Sequence, residues 1–100
     1  MSAIRKSARN QMCQIRIPGV CNHNPETVCW AHGNGSAAGK GLGMKAPDLI
    51  GAYACSDCHD AYDRRRPTPE GMTREQVELA FADGVFRSLR MLLDKGLVKA

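Results

Sequence analysis

Cys55-Ser56-Asp57-Cys58-His59 decides how this chain is read. A C-x2-C spacing lets one turn present two thiolates to one ion, and a tetrahedral zinc needs four such ligands. Upstream, Cys13, Cys21 and Cys29 follow one another at intervals of eight residues, so Cys13 with Cys21 and Cys21 with Cys29 compete to supply the second pair. Pro18-Gly19 is a turn signal that folds the first interval back on itself. Cys29 lies in the apolar, β-branched and aromatic run Thr27-Val28-Cys29-Trp30-Ala31, where a free cysteine behaves as a small hydrophobe. The expected zinc ligands are therefore Cys13, Cys21, Cys55 and Cys58, with Cys29 in the core.

A chain of 100 residues buries a modest core, and a metal staple is a reasonable route to stability at that size. One domain is expected over 1–100, with an N-terminal arm at 1–12, a zinc module at 13–66 and a C-terminal helix and tail at 67–100. Five cysteines are an odd number, which argues against a fully paired disulfide framework and for metal ligation in a reducing compartment. No window approaches the apolar length of a membrane span, and the N-terminus lacks the apolar stretch of a signal peptide, so a soluble, cytoplasmic protein is expected. The net charge is +4, and all of that excess falls in residues 1–66, which hold nine Lys or Arg against five acids. The cysteine-bearing part would attract a polyanion such as nucleic acid.

Ile15 and Ile17 alternate with polar residues as in a strand, and residues 27–31 read as a second strand leading into His32. Residues 33–43 are too glycine-rich for a regular element; their Gly35, Gly39 and Lys40 lack the spacing of a phosphate-binding loop. Residues 49–54 form a further strand candidate, and residues 56–66 a helix opening at the C-x2-C and stopped by Pro67. Thr73-x-x-Gln76 is a capping box, and the stretch from there to Gly96 contains no proline, which marks a long helix. Its apolar positions form two stripes, Val77, Phe81, Val85, Leu89, Leu92 and Leu79, Phe86, Leu93, wide enough for burial against more than one surface and for a homodimer through this helix. The fold class is a small, zinc-stabilised α+β module with a long C-terminal helix.

Four thiols would satisfy zinc and leave His32 and His59 without a structural duty; His23, in a polar turn, reads as a surface side chain. A strand-end histidine, a loop, a second strand and then C-x2-C-His resembles the ββα-metal, or HNH, nuclease module. Further segments extend the likeness: Ile15-Arg16-Ile17-Pro18-Gly19-Val20 between two cysteines, Asn24-Pro25-Glu26-Thr27, Ala31-His32, Pro47-Asp48-Leu49-Ile50 and Ala54-Cys55-Ser56-Asp57-Cys58-His59-Asp60. Together they resemble the prophage-encoded YbcO nuclease family and, more distantly, the Ref-type recombination nucleases of phages.

That resemblance implies a DNA endonuclease in which His32 is the general base and a hard cation, Mg²⁺ or Mn²⁺, is held by His59 with Asp63 as a second ligand. It also implies phosphate contacts from Arg64, Arg65, Arg66, Lys40 and Lys45, and the phage relatives suggest a recombinase filament as partner. HNH enzymes often carry Asp directly before the strand-end histidine, where this chain has Ala31, and an Asn where it has Ile50, leaving Asp48 or Asn34 as substitutes. A non-catalytic zinc module that binds nucleic acid or a recombination partner is the competing expectation.

Overall fold

The computed structural model describes residues 2–39 and 47–99. Helix α1 (Ala3–Ser7) is followed by a 3-10 turn (Pro25–Thr27), strand β1 (Cys29–His32), a second 3-10 turn (Ser36–Ala38), strand β2 (Gly51–Ala54), helix α2 (Ser56–Tyr62) and helix α3 (Arg74–Asp94). The two strands pair antiparallel, with Trp30 opposite Tyr53 and His32 opposite Gly51. Their close approach requires a glycine: a Cβ on Gly51 would stand 2.6 Å from both the Ala31 carbonyl and Trp30 Nε1. The indole meets the Tyr53 ring edge-on, with centroids 5.1 Å apart.

Strand β2 is buried throughout. Its outer edge is closed by other elements, as an edge strand's unpaired groups must be. The Tyr53 N–H donates to Ser88 Oγ on α3 at 3.0 Å, and the Tyr53 carbonyl accepts from the Gln14 N–H at 2.8 Å. Ser88 Oγ in turn donates to the Gly84 carbonyl at 2.6 Å. Gly84 is the point of contact between α3 and the segment 13–21, since a Cβ there would lie 3.1 Å from Gln14 O and from Ile15 Cγ1.

Several boundaries differ from the sequence expectation. Residues 13–21 form turns and bends with no strand, because Arg16 takes φ of +57° between the two isoleucines; Ile15 and Ile17 are buried all the same. Strand β2 begins at Gly51 and not at 49, since Asp48 and Leu49 occupy a turn closed by Ile50 N–H to Pro47 O. Helix α2 stops at Tyr62, four residues short of 66, because Arg64 adopts φ of +62° and turns the chain back. Helix α3 opens on the expected capping box of Thr73 and Gln76. It buries Val77, Phe81, Gly84, Ser88 and Leu92, while Leu79, Phe86 and Leu93 of the second stripe stay exposed. Among the described residues, no helix is long and apolar enough to cross a membrane.

Candidate metal centre and flanking histidines

Cys55 caps the N-terminus of α2, its Sγ accepting from the Cys58 N–H at 3.4 Å, so one helical turn aims two thiols at a common point. The turns through Pro18 and Gly19, with Gly19 at φ of +73°, bring Cys13 and Cys21 to the same point. The four Sγ atoms all lie within 4.8 Å of one another, and those of Cys21 and Cys55 are 3.9 Å apart. Tetrahedral zinc with Zn–S bonds of about 2.3 Å holds its sulfurs roughly 3.8 Å apart, so this donor set fits that ion in number, type and spacing. Cys13, Cys55 and Cys58 are buried and Cys21 is half-buried, as suits a closed structural site.

The thiols also show why a cation belongs there. A hydrogen bond from Cys58 holds the Cys13 thiol down to about 4, and the same bond pushes Cys58 up. Burial, then the charges of Cys13 and Cys55, push Cys21 up to about 11. Four thiolates this close repel one another, and a divalent cation is what lets all of them ionise.

Cys29 is not the core residue that its apolar surroundings suggested. It is exposed, at the first position of β1, with its Sγ 3.1 Å from His59 Nδ1. The other ring nitrogen of His59 stands 3.0 Å from Asp63 Oδ2 one helical turn on, and Asp63 Oδ1 accepts from Asn34 Nδ2 at 2.8 Å. Burial pushes the His59 imidazole down, partly offset by Asp63, which favours the neutral ring. Cys29, His59, Asp63 and Asn34 thus form one polar chain on the α2 side of β1.

His32, at the far end of β1, belongs to a second cluster. Its Nε2 is 2.8 Å from Asp48 Oδ1, which also receives Arg5 Nη2 at 3.2 Å; the Asp48 carbonyl accepts from Trp30 Nε1 at 2.7 Å. The hydrogen bond from His32, then those from Ser2 and Arg5, hold the Asp48 carboxyl down at about 2. An ionised carboxylate can only accept, so this contact calls for a proton on His32 Nε2. His32 and His59 are therefore each backed by a carboxylate, and they are not in contact with the same group.

A cleft beside Asp63 is lined by Asn34, Tyr62, Arg64, Arg65, Arg74 and Glu78. Tyr62 stacks on Phe81 with centroids 3.6 Å apart, and its hydroxyl accepts from the Asn34 N–H at 2.8 Å, which fixes one wall. Of the three consecutive arginines, Arg65 is tied to Asp60 at 2.8 Å and Asp63 at 3.3 Å, and Arg66 to Asp57 at 3.1 Å. Arg74, which the sequence did not single out, lines the cleft and donates to the Ala61 and Tyr62 carbonyls. Lys40 and Lys45, expected phosphate contacts, lie outside the described residues.

Two short strands, a following helix and four convergent thiols define the class: a small α+β domain with a cysteine cluster that could hold a metal ion and two carboxylate-backed histidines. Residues 2–97 match the family described as "Putative nuclease YbcO", and the chain belongs to that family. It is 43% identical, over the whole of both chains, to proteins of that name from Escherichia coli K12 and from Enterobacteria phage 82. A solved structure described as "Structure of a putative bacteriophage protein from Escherichia coli str. K-12 substr. MG1655" superposes with a TM-score of 0.73 at 39% identity, covering 94% of this chain and all of that one.

Proposed function

We propose that the protein is a zinc-organised DNA endonuclease of the HNH type that hydrolyses phosphodiester bonds. The observation that carries this reading is the pair of carboxylate-backed imidazoles, His32 with Asp48 and His59 with Asp63, each within 3.0 Å, outside a cluster of four thiols sufficient in number to complete a zinc site of their own. Zinc at those thiols supplies the fold's cross-link. His32 Nδ1 takes the proton of a water as its oxygen attacks phosphorus, and Asp48 stabilises the imidazolium so formed. The leaving oxygen departs as the P–O bond breaks and takes a proton from solvent water.

His59 Nε2 and Asp63 Oδ2 are the two donors for a hard cation, and their 3.0 Å separation suits adjacent ligands of one ion. Mg²⁺ or Mn²⁺ there would supply neutralisation of the charge that develops on phosphate. For His59 to donate from Nε2 its proton must sit on Nδ1, where Cys29 Sγ is placed to accept it. Arg64 is the cleft cation for phosphate, with Arg65, Arg66 and Arg74 available once released from Asp60 and Asp63, Asp57 and Glu78.

The test uses supercoiled, linear and single-stranded DNA with and without Mg²⁺ or Mn²⁺, and with a recombinase filament as a further substrate. His32→Ala should keep its zinc and its melting temperature while losing cleavage by about 10²–10⁴-fold, the usual cost of removing a general base. Equal cleavage by that variant would overturn the assignment and favour a non-catalytic nucleic-acid-binding module.

A second copy of the chain is the partner proposed for α3. Leu79, Phe86 and Leu93 recur every seven residues on one exposed face. Antiparallel pairing about Phe86 sets Leu79 against Leu93 and brings Asp83 to within one residue of the position opposite Arg90, in both directions.

A further inference from the structure

A groove between α1 and the start of β1 is lined by Arg5, Lys6, Arg9, Val28, Cys29 and Trp30. Three exposed cations form its rim, and the small accessible parts of Val28 and Trp30, each 7% exposed, form an apolar floor. Lys6 and Arg9 enter no ion pair among the described residues. Arg5, one of its lining residues, shares Asp48 Oδ1 with His32, while Cys29, another, lies 3.1 Å from His59. The groove therefore joins the two histidine clusters, which share no contact of their own.

We infer that this groove is the binding subsite for a single strand of nucleic acid, an inference that rests on the nuclease reading and adds to it the form of the substrate. Cations alone would hold the backbone of any nucleic acid, because phosphate contacts carry no information about strandedness. The apolar floor changes that. A base freed from its stack can lay its face on an apolar or aromatic surface, whereas a duplex keeps its base faces covered. Lys6 and Arg9 grip phosphates while the base or sugar between them lies over Val28 and Trp30. The strand then passes from Arg5, beside His32, to Cys29, beside His59, so both clusters meet one backbone.

Trp30 is the chain's single tryptophan and thus a built-in reporter for the groove. The metal-loaded protein is titrated with a twelve-residue oligothymidylate, and separately with a duplex of equal length, without added Mg²⁺ or Mn²⁺ so that nothing is cleaved. The oligothymidylate should change Trp30 emission saturably, and the duplex should leave it unchanged. A Lys6→Ala/Arg9→Ala variant, altered only at exposed positions, should bind the oligothymidylate at least tenfold more weakly, with a log–log salt slope lower by about 1.4, since each phosphate contact on a single strand contributes roughly 0.7. Unchanged affinity and slope in the variant, no response of Trp30, or an equal response to duplex would each overturn the proposal. Binding that behaves as expected in a protein that never cleaves DNA would leave the groove standing and reject the nuclease reading alone.

Discussion

Cys29 shares its chemistry with the other four cysteines and differs only in where the chain puts it. An apolar run tells that a segment is half-buried; it does not tell which of its members faces outward, and Cys29, at the first position of β1, is the exposed one. The convergence of the other four cysteines was legible because it depends on spacing along the chain, which is written in the sequence. Their separation gives a direct expectation. Cys58→Ala should lose the metal and the fold, since structural zinc contributes on the order of 10 kcal/mol at neutral pH, whereas Cys29→Ala should retain one ion per chain and an unchanged melt. Elemental analysis alongside thermal unfolding reads both, and loss of metal from Cys29→Ala would move the upstream pair to Cys21 and Cys29. Asp48 and Asn34 were visible only as substitutes for missing polar residues. Their contacts with His32 and Asp63 depend on a turn at 47–50 and on the bend after β1, neither of which leaves a periodic signal.

Elements were legible where a local rule fixed their ends. The capping box placed the start of α3, and C-x2-C placed the start of α2. Where the outcome depends on a residue taking positive φ against its own preference, as Arg16 and Arg64 do, no local signal exists: the strand expected through Ile15 and Ile17 does not form, and α2 ends earlier than expected. Gly84 shows a related failure. Read along the helix it is a cost of about 1 kcal/mol relative to alanine. Across the interface it is the residue that lets α3 touch the backbone at Gln14. Gly84→Ala should therefore destabilise by about 1–2 kcal/mol, the overpacking cost exceeding the gain in helix propensity. For a domain of this size that lowers the melting temperature by about 4–8 °C per kcal/mol. A rise in melting temperature would show that the turn at 13–16 yields to the added methyl.

The molecule as a whole leaves two large apolar side chains well exposed on α3, Leu79 at 62% and Phe86 at 68%. Light scattering should show the mass rising with concentration from the 10.9 kDa monomer toward twice that value. Asp83→Arg should weaken this association and Arg90→Asp should do the same, while the two together restore it by exchanging the signs of a reciprocal pair. A monomer at every concentration would assign the exposed stripe no role in self-association. The sequence showed both stripes but could not rank them, because which one the core takes depends on where β2 and the turns at 13–21 lie.

The placement of the four thiols reaches beyond stability. Two come from the chain before β1 and two from the chain after β2, so an ion bound to all four closes a ring that contains β1, His32 and β2. A single break in the peptide chain anywhere between Cys21 and Cys55 would open that ring without separating its halves, since each fragment would keep two sulfurs on the ion. Such a nicked protein would run as two pieces under denaturing, chelating conditions and as one molecule otherwise, and the strand carrying His32 could be cut at its far end and still be held at its root.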